Sequence, residues 1–131
     1  MKRKAQVSKD LVIEATRTSP GIECFYSKGV LQFSGDSYPE NAADFFQPLL
    51  QWVNNYVRVP HEQTTVEFRL KYFNTSSSRY IFQIMEILHG YQARGNAVKV
   101  VWKSQGQDDD MLDTWREIMD ELEMPYAVES T

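Results

Sequence analysis

Residues 64–88, TTVEFRLKYFNTSSSRYIFQIMEIL, change their hydrophobic period once, and the fold class follows from that change. In the first ten residues Val66, Phe68 and Leu70 fall on one face and Glu67, Arg69 and Lys71 on the other, the two-residue period of a half-buried strand. From Ser77 the period is helical. Ile81, Ile84, Met85, Leu88 and Tyr91 form one stripe, while Arg79, Gln83 and Glu86 face outward. Between the two lie four consecutive hydroxyl side chains, Thr75, Ser76, Ser77 and Ser78, more than a helix start needs.

The same reading extends to both sides of this junction. Upstream, DLVIEATRT and GIECFY read as short strands separated by the turn residues of SPG. GVLQFSG follows across the hairpin turn YSKG. In SYPENAADFFQPLLQWVNNYV the period becomes helical, with Ala42, Phe45, Phe46, Leu49, Leu50, Val53, Tyr56 and Val57 on one face. Pro39 suits a first helical position, with Ser37 or Tyr38 capping. Pro48 falls on the polar stripe, so a kinked helix or two abutting ones is expected. Downstream, AVKVVWK reads as a strand and DDDMLDTWREIMDELE as a helix with Met111, Trp115, Ile118 and Leu122 inward; PYAV reads as a last edge strand. The order is β-β-β-α-β-α-β-α-β. An N-terminal hairpin followed by α/β alternation predicts a mixed sheet with crossover helices on one or both faces.

The 131 residues fit one domain, which we place at 11–131 behind a flexible basic N-terminus at 1–10. Lys2, Arg3, Lys4 and Lys9 against Asp10 give that start +3, which leaves −7 on the rest of a chain whose net charge is −4. So acidic a body is a poor nucleic-acid surface, because phosphate contacts need clustered Lys and Arg. Only LVI follows the basic start before Glu14, too short for a signal sequence, and no stretch reaches the length of a membrane span. A cytoplasmic protein without membrane insertion is expected. Cys24 is the single cysteine, so no intrachain disulfide forms.

Catalytic patterns are missing. His61 and His89 are the two histidines and neither stands at ligand spacing from another donor; no G-x-S-x-G elbow, dinucleotide fingerprint or P-loop occurs. Neither enzyme activity, metal nor cofactor is expected, and a small serine-dependent enzyme is the alternative from that class. Asp108, Asp109 and Asp110 read as a helix start, where acidic side chains cap free N–H groups and meet the positive dipole end. Two binding features remain. Tyr38, Phe45 and Trp52 are a candidate aromatic anchor for a partner, beside the rigid corner formed by Tyr38, Pro39, Glu40 and Asn41. The second is the hydroxyl run. One cap accounts for one hydroxyl; a phosphate on another would meet the helix dipole, with Arg69 and Arg79 as candidate cations and Asn74, Ser76, Ser77 and Ser78 around it. Local chemistry does not choose among the four.

TSPGIE, GVLQFSGDSYPENAADFFQPLLQWV and VEFRLKYFNTSSSRYIFQIMEIL together resemble the SiaC-type bacterial regulatory phosphoproteins, from about Ile13 to Tyr126. SYPEN and YFNTSSS are the most specific parts. The resemblance implies a STAS-like α/β domain, related to anti-sigma-factor antagonists, with the modified threonine of NTSSS at Thr75. It implies a partner kinase, a PP2C-type phosphatase and a diguanylate cyclase. The unphosphorylated form would bind and activate the cyclase, raising cyclic di-GMP and favouring aggregation or biofilm formation. An anti-sigma-factor antagonist in a partner-switching module is the alternative from the binding class.

Overall fold

The structure, a computed structural model, describes residues 9–106 and 109–130. Its elements follow the order expected: β1 (Leu11–Ile13), β2 (Gly21–Phe25), β3 (Val30–Ser37), α1 (Ala42–Tyr56), β4 (Thr64–Phe73), α2 (Thr75–Ala93), β5 (Val98–Ser104), α3 (Asp110–Leu122) and β6 (Ala127–Ser130). All of the basic start except Lys9 and Asp10 lies outside the described residues.

The six strands form one sheet in chain order, β1 to β6, antiparallel from β1 to β3 and parallel from β3 onward. Each parallel crossover advances the sheet in the same direction. Right-handed crossovers then place all three helices on one face, α1 beside α2 beside α3, and among the described residues no helix covers the other face. The strand burial agrees. Val66, Phe68 and Leu70 are buried, while Thr65 and Glu67 are partly exposed and Arg69 and Lys71 exposed. One register line runs across the covered face through Ile13, Ile22, Phe33, Phe68, Trp102 and Val128. At its centre the Phe33 and Phe68 rings stack 4.7 Å apart. Against this line pack Phe46, Leu49 and Val53 of α1, Ile81, Ile84, Met85 and Leu88 of α2, and Trp115, Ile118 and Met119 of α3.

Four local expectations are corrected. β1 ends at Ile13 and not near Thr18, because Thr16 Oγ1 accepts from the N–H groups of Thr18 and Ser19 and closes a turn. Pro39 precedes α1 and does not open it, since Asn41 is the cap, its side chain accepting from Asp44 N–H. α1 is a single helix, which removes the alternative of two abutting ones, and Pro48 lies on its exposed side, where water reaches the carbonyl that proline leaves without a donor. Finally, α2 begins at Thr75, ahead of the serines, because Asn74 caps it.

Candidate functional site

The hydroxyl run lies where β3 and β4 end and where α1 and α2 begin, at the carboxyl edge of parallel strands that favours ligand and partner sites in open α/β sheets. Asn74 is the single residue between β4 and α2. Its side chain accepts from Ser77 N–H at 2.9 Å, its carbonyl takes Ser78 N–H at 2.9 Å, and its own N–H donates to Ser37 O at 3.0 Å. The strand end and the helix start are therefore one hydrogen-bonded unit.

The four hydroxyls have different environments. Ser77 is fully buried; its hydroxyl donates to Ser37 O at 3.0 Å and lies 2.7 Å from Ser37 Oγ. With the single Ser77 proton on that carbonyl, Ser37 is the donor in the hydroxyl pair. Ser78 donates back to Thr75 O at 2.8 Å, a local bond typical of serine in a first turn. Thr75 and Ser76 are exposed, and neither side chain has a hydrogen bond among those described. Thr75 and Ser76 are therefore the hydroxyls of the run most open to solvent at this edge, since Ser77 is enclosed.

Thr75 is the first residue of α2, and that first turn holds no acidic residue. Arg79 is one helical turn on and exposed, and no ion pair of it occurs among the described residues. It lines a cleft of about 370 Å³ between the starts of α1 and α2, together with Glu40, Asn41, Ser76, Tyr80 and Gln83. Arg69 belongs elsewhere. It pairs with Glu67 on the sheet and sits about four strand residues, roughly 13 Å, before β4 ends.

The expected aromatic anchor is not brought together. Trp52 is some 16 Å along α1 from its cap by helical rise. Its ring stacks on Tyr56 at 5.0 Å, and its indole N–H donates to Lys9 O at 2.7 Å. Phe45 packs edge-on against Phe46, and Pro39 is half-buried. Tyr38 instead meets Tyr72 edge-to-face at 5.9 Å; they are 39% and 43% exposed, two of the few large hydrophobic side chains open to solvent. Tyr72 went unnoticed in the sequence because a register shift opposite Gly35 and Asp36 turns it out of the strand's alternation. The one signal was Lys71–Tyr72, two outward residues in a row between the buried Leu70 and Phe73.

At the α3 start, Asp109 accepts from Leu112 N–H at 3.2 Å and from the Trp102 indole at 2.8 Å, while Asp108 lies outside the described residues. Among the described residues no cluster of His, Cys, Asp and Glu is arranged for a metal ion, and no helix is long and apolar enough to cross a membrane.

Known proteins share this architecture over nearly the whole chain. A solved structure of SiaC from Pseudomonas aeruginosa superposes with a TM-score of 0.84 at 27% identity, covering 94% of this chain and 99% of that one. A chain in the crystal structure of the diguanylate cyclase SiaD in complex with its activator SiaC, from the same organism, matches with a TM-score of 0.87 at 27% identity, covering 93% and 100%. An uncharacterized protein of P. aeruginosa strain UCBPP-PA14 is 27% identical over 121 residues, 92% of this chain and 96% of its own length. The family model for SiaC family regulatory phosphoproteins matches residues 13–130, nearly the whole of the described fold, and the chain belongs to that family.

Proposed function

We propose that this protein is a switchable activator of a diguanylate cyclase, acting by binding and not by catalysis, and that phosphorylation of Thr75 turns it off. The observation that carries the reading is the placement of Thr75: exposed, first in α2, at the sheet edge where β3 and β4 end, in a family of regulatory phosphoproteins. Support for the cyclase comes from SiaD, crystallised with its activator SiaC, whose fold this chain shares.

The switch needs no change of fold. In the unphosphorylated state Thr75, Tyr38 and Tyr72 form one mixed apolar and hydroxyl surface that the cyclase covers. A partner kinase moves a phosphoryl group from ATP to Thr75 Oγ1, releasing the hydroxyl proton, and a PP2C-type phosphatase hydrolyses it off again. The phosphate adds about −1.5 to −2 charges at the centre of the surface. Burying that charge against a partner without a matching cation costs several kcal/mol, and about 2.8 kcal/mol already weakens binding a hundredfold. Raised or lowered cyclic di-GMP then sets aggregation and biofilm formation.

Two measurements test this. Phosphosite mapping of the protein from its native cells is expected to place a single phosphate on Thr75. Cyclase binding is expected to persist in Thr75→Ala and to fall at least tenfold in Thr75→Asp. Equal affinity of wild type and both variants would sink the electrostatic switch.

A further inference from the structure

We infer that Ser37 and Ser77 are positioning residues for Thr75: their buried hydroxyl bridge holds the first turn of α2 at a fixed place relative to the Tyr38–Tyr72 pair. The inference rests on the switch reading above.

The geometry is closed on itself. Ser37 is 1% exposed and Ser77 0%. Ser37 O accepts from both Asn74 N–H and Ser77 Oγ–H, each at 3.0 Å, and Ser37 Oγ–H returns to Ser77 Oγ at 2.7 Å. Every hydroxyl proton of the bridge thus has one acceptor, and the bridge spans 40 residues of chain. It stands between the two parts of the proposed surface. Tyr38 follows Ser37 directly, Tyr72 is two residues before Asn74, and Thr75 is two residues before Ser77.

Without the bridge the helix start would keep only the bonds of Asn74, its cap on Ser77 N–H and its own N–H to Ser37 O, and no side chain of the first turn would reach the sheet. A terminal turn leaves its first four N–H groups without helical partners and frays readily. Thr75 and Ser76 are exposed, and neither side chain is hydrogen-bonded to the sheet. The Ser77 side chain is therefore the anchor between the first helical turn and β3. A partner covering both Thr75 and the tyrosines meets them at one spacing only while that anchor holds. The bridge also assigns the third hydroxyl of the run a task unrelated to accepting phosphate.

A double-mutant design separates positioning from stability. Ser77→Ala leaves the buried Ser37 hydroxyl without its acceptor, whereas in Ser37→Ala the Ser77 hydroxyl keeps its bond to the carbonyl of residue 37; removing both hydroxyls leaves no orphan and is expected to restore most of the stability that Ser77→Ala loses. Urea unfolding measures that recovery. Backbone order by ¹⁵N relaxation is the second readout. Order parameters at Thr75 and Ser76 are expected near 0.85 in wild type and below about 0.6 in Ser77→Ala and in the double variant. The third readout is activation of the cyclase that the wild-type chain activates. The double variant is expected to need on the order of tenfold more protein for half-maximal activation, with the maximum unchanged.

Stability, order and activation all returning together in the double variant would reduce the bridge to a structural contact and overturn the inference. So would unchanged order at Thr75 in Ser77→Ala. If the wild-type chain activates no cyclase, the switch reading fails by itself, while the order parameters still decide whether the bridge positions Thr75.

Discussion

At Thr75 two consequences of one charge have opposite signs, which makes the residue unusually testable. The proposed effect on a partner is repulsive, because the charge would be buried in an interface. The effect on the folded protein is attractive, because Thr75 opens α2 and no acidic residue shares that first turn. A negative charge at a helix N-terminus stabilises by about 0.3–1 kcal/mol at low salt. Thr75→Asp is therefore expected to raise the unfolding free energy in urea by that amount while weakening binding of the cyclase, and the gain is expected to shrink in 1 M salt, where the Debye length is only about 3 Å. A variant that loses both stability and binding would mean that the helix start itself had been disturbed. The sequence singled out the run but did not rank its members. Exposure separates Thr75 and Ser76 from Ser77, whose enclosure depends on Ser37, a residue 40 positions away that is joined to it only in the folded chain.

At the scale of elements, the helix faces and most strands were legible because their periodicity is strong. Ile81, Ile84, Met85, Leu88 and Tyr91 are all buried, as their spacing predicts. The β3–β4 irregularity was not legible, because a bulge is a property of two strands and alternation is read along one. Before it Gly35 pairs with Leu70, and after it Asp36 pairs with Tyr72, so Lys71 is the additional residue. Burial passes from even positions, Leu70, to the odd Phe73, and Tyr72 is turned outward to Tyr38. The same shift brings Ser37 opposite Phe73, which lets the serine bridge form. Gly35 carries this local geometry at φ +86, where a Cβ would meet only Ala15 Cβ at 3.8 Å. Space is available, so the cost of a side chain there is conformational. Gly35→Ala is expected to lose about 1–2 kcal/mol in urea unfolding, and Gly35→Asn less, since asparagine tolerates a positive φ better. Equal losses would point to packing rather than to backbone conformation.

At the scale of the whole molecule, a sheet covered on one face concentrates the core between the strands and the three helices, and Cys24 lies on that covered side. It pairs in register with Leu11 and Leu31 and is fully buried. Burial, reinforced by the Asp10 carboxylate, pushes its thiol from an ordinary value near 9 up to about 12. The single cysteine of the chain is therefore expected to be inert toward thiol reagents until the protein unfolds. The shift also has a sign in stability. Below pH 9 the thiol is protonated in both states and contributes no pH dependence. Between about 9 and 12 the unfolded chain gives up the proton and the folded one keeps it, so stability is lost as pH rises, approaching about 1.4 kcal/mol per unit. Tyr56, whose pKa is also raised, chiefly by burial, adds to the alkaline loss in any variant that retains it. The contribution of Cys24 is thus isolated by difference. Urea unfolding of wild type and Cys24→Ala under reducing conditions at pH 8, 9.5 and 10.5 is expected to show the wild-type advantage shrinking and then reversing. A difference that stays constant across that range would mean that the thiol reaches water in the folded state, and that the hairpin side of the sheet opens more readily than its packing implies.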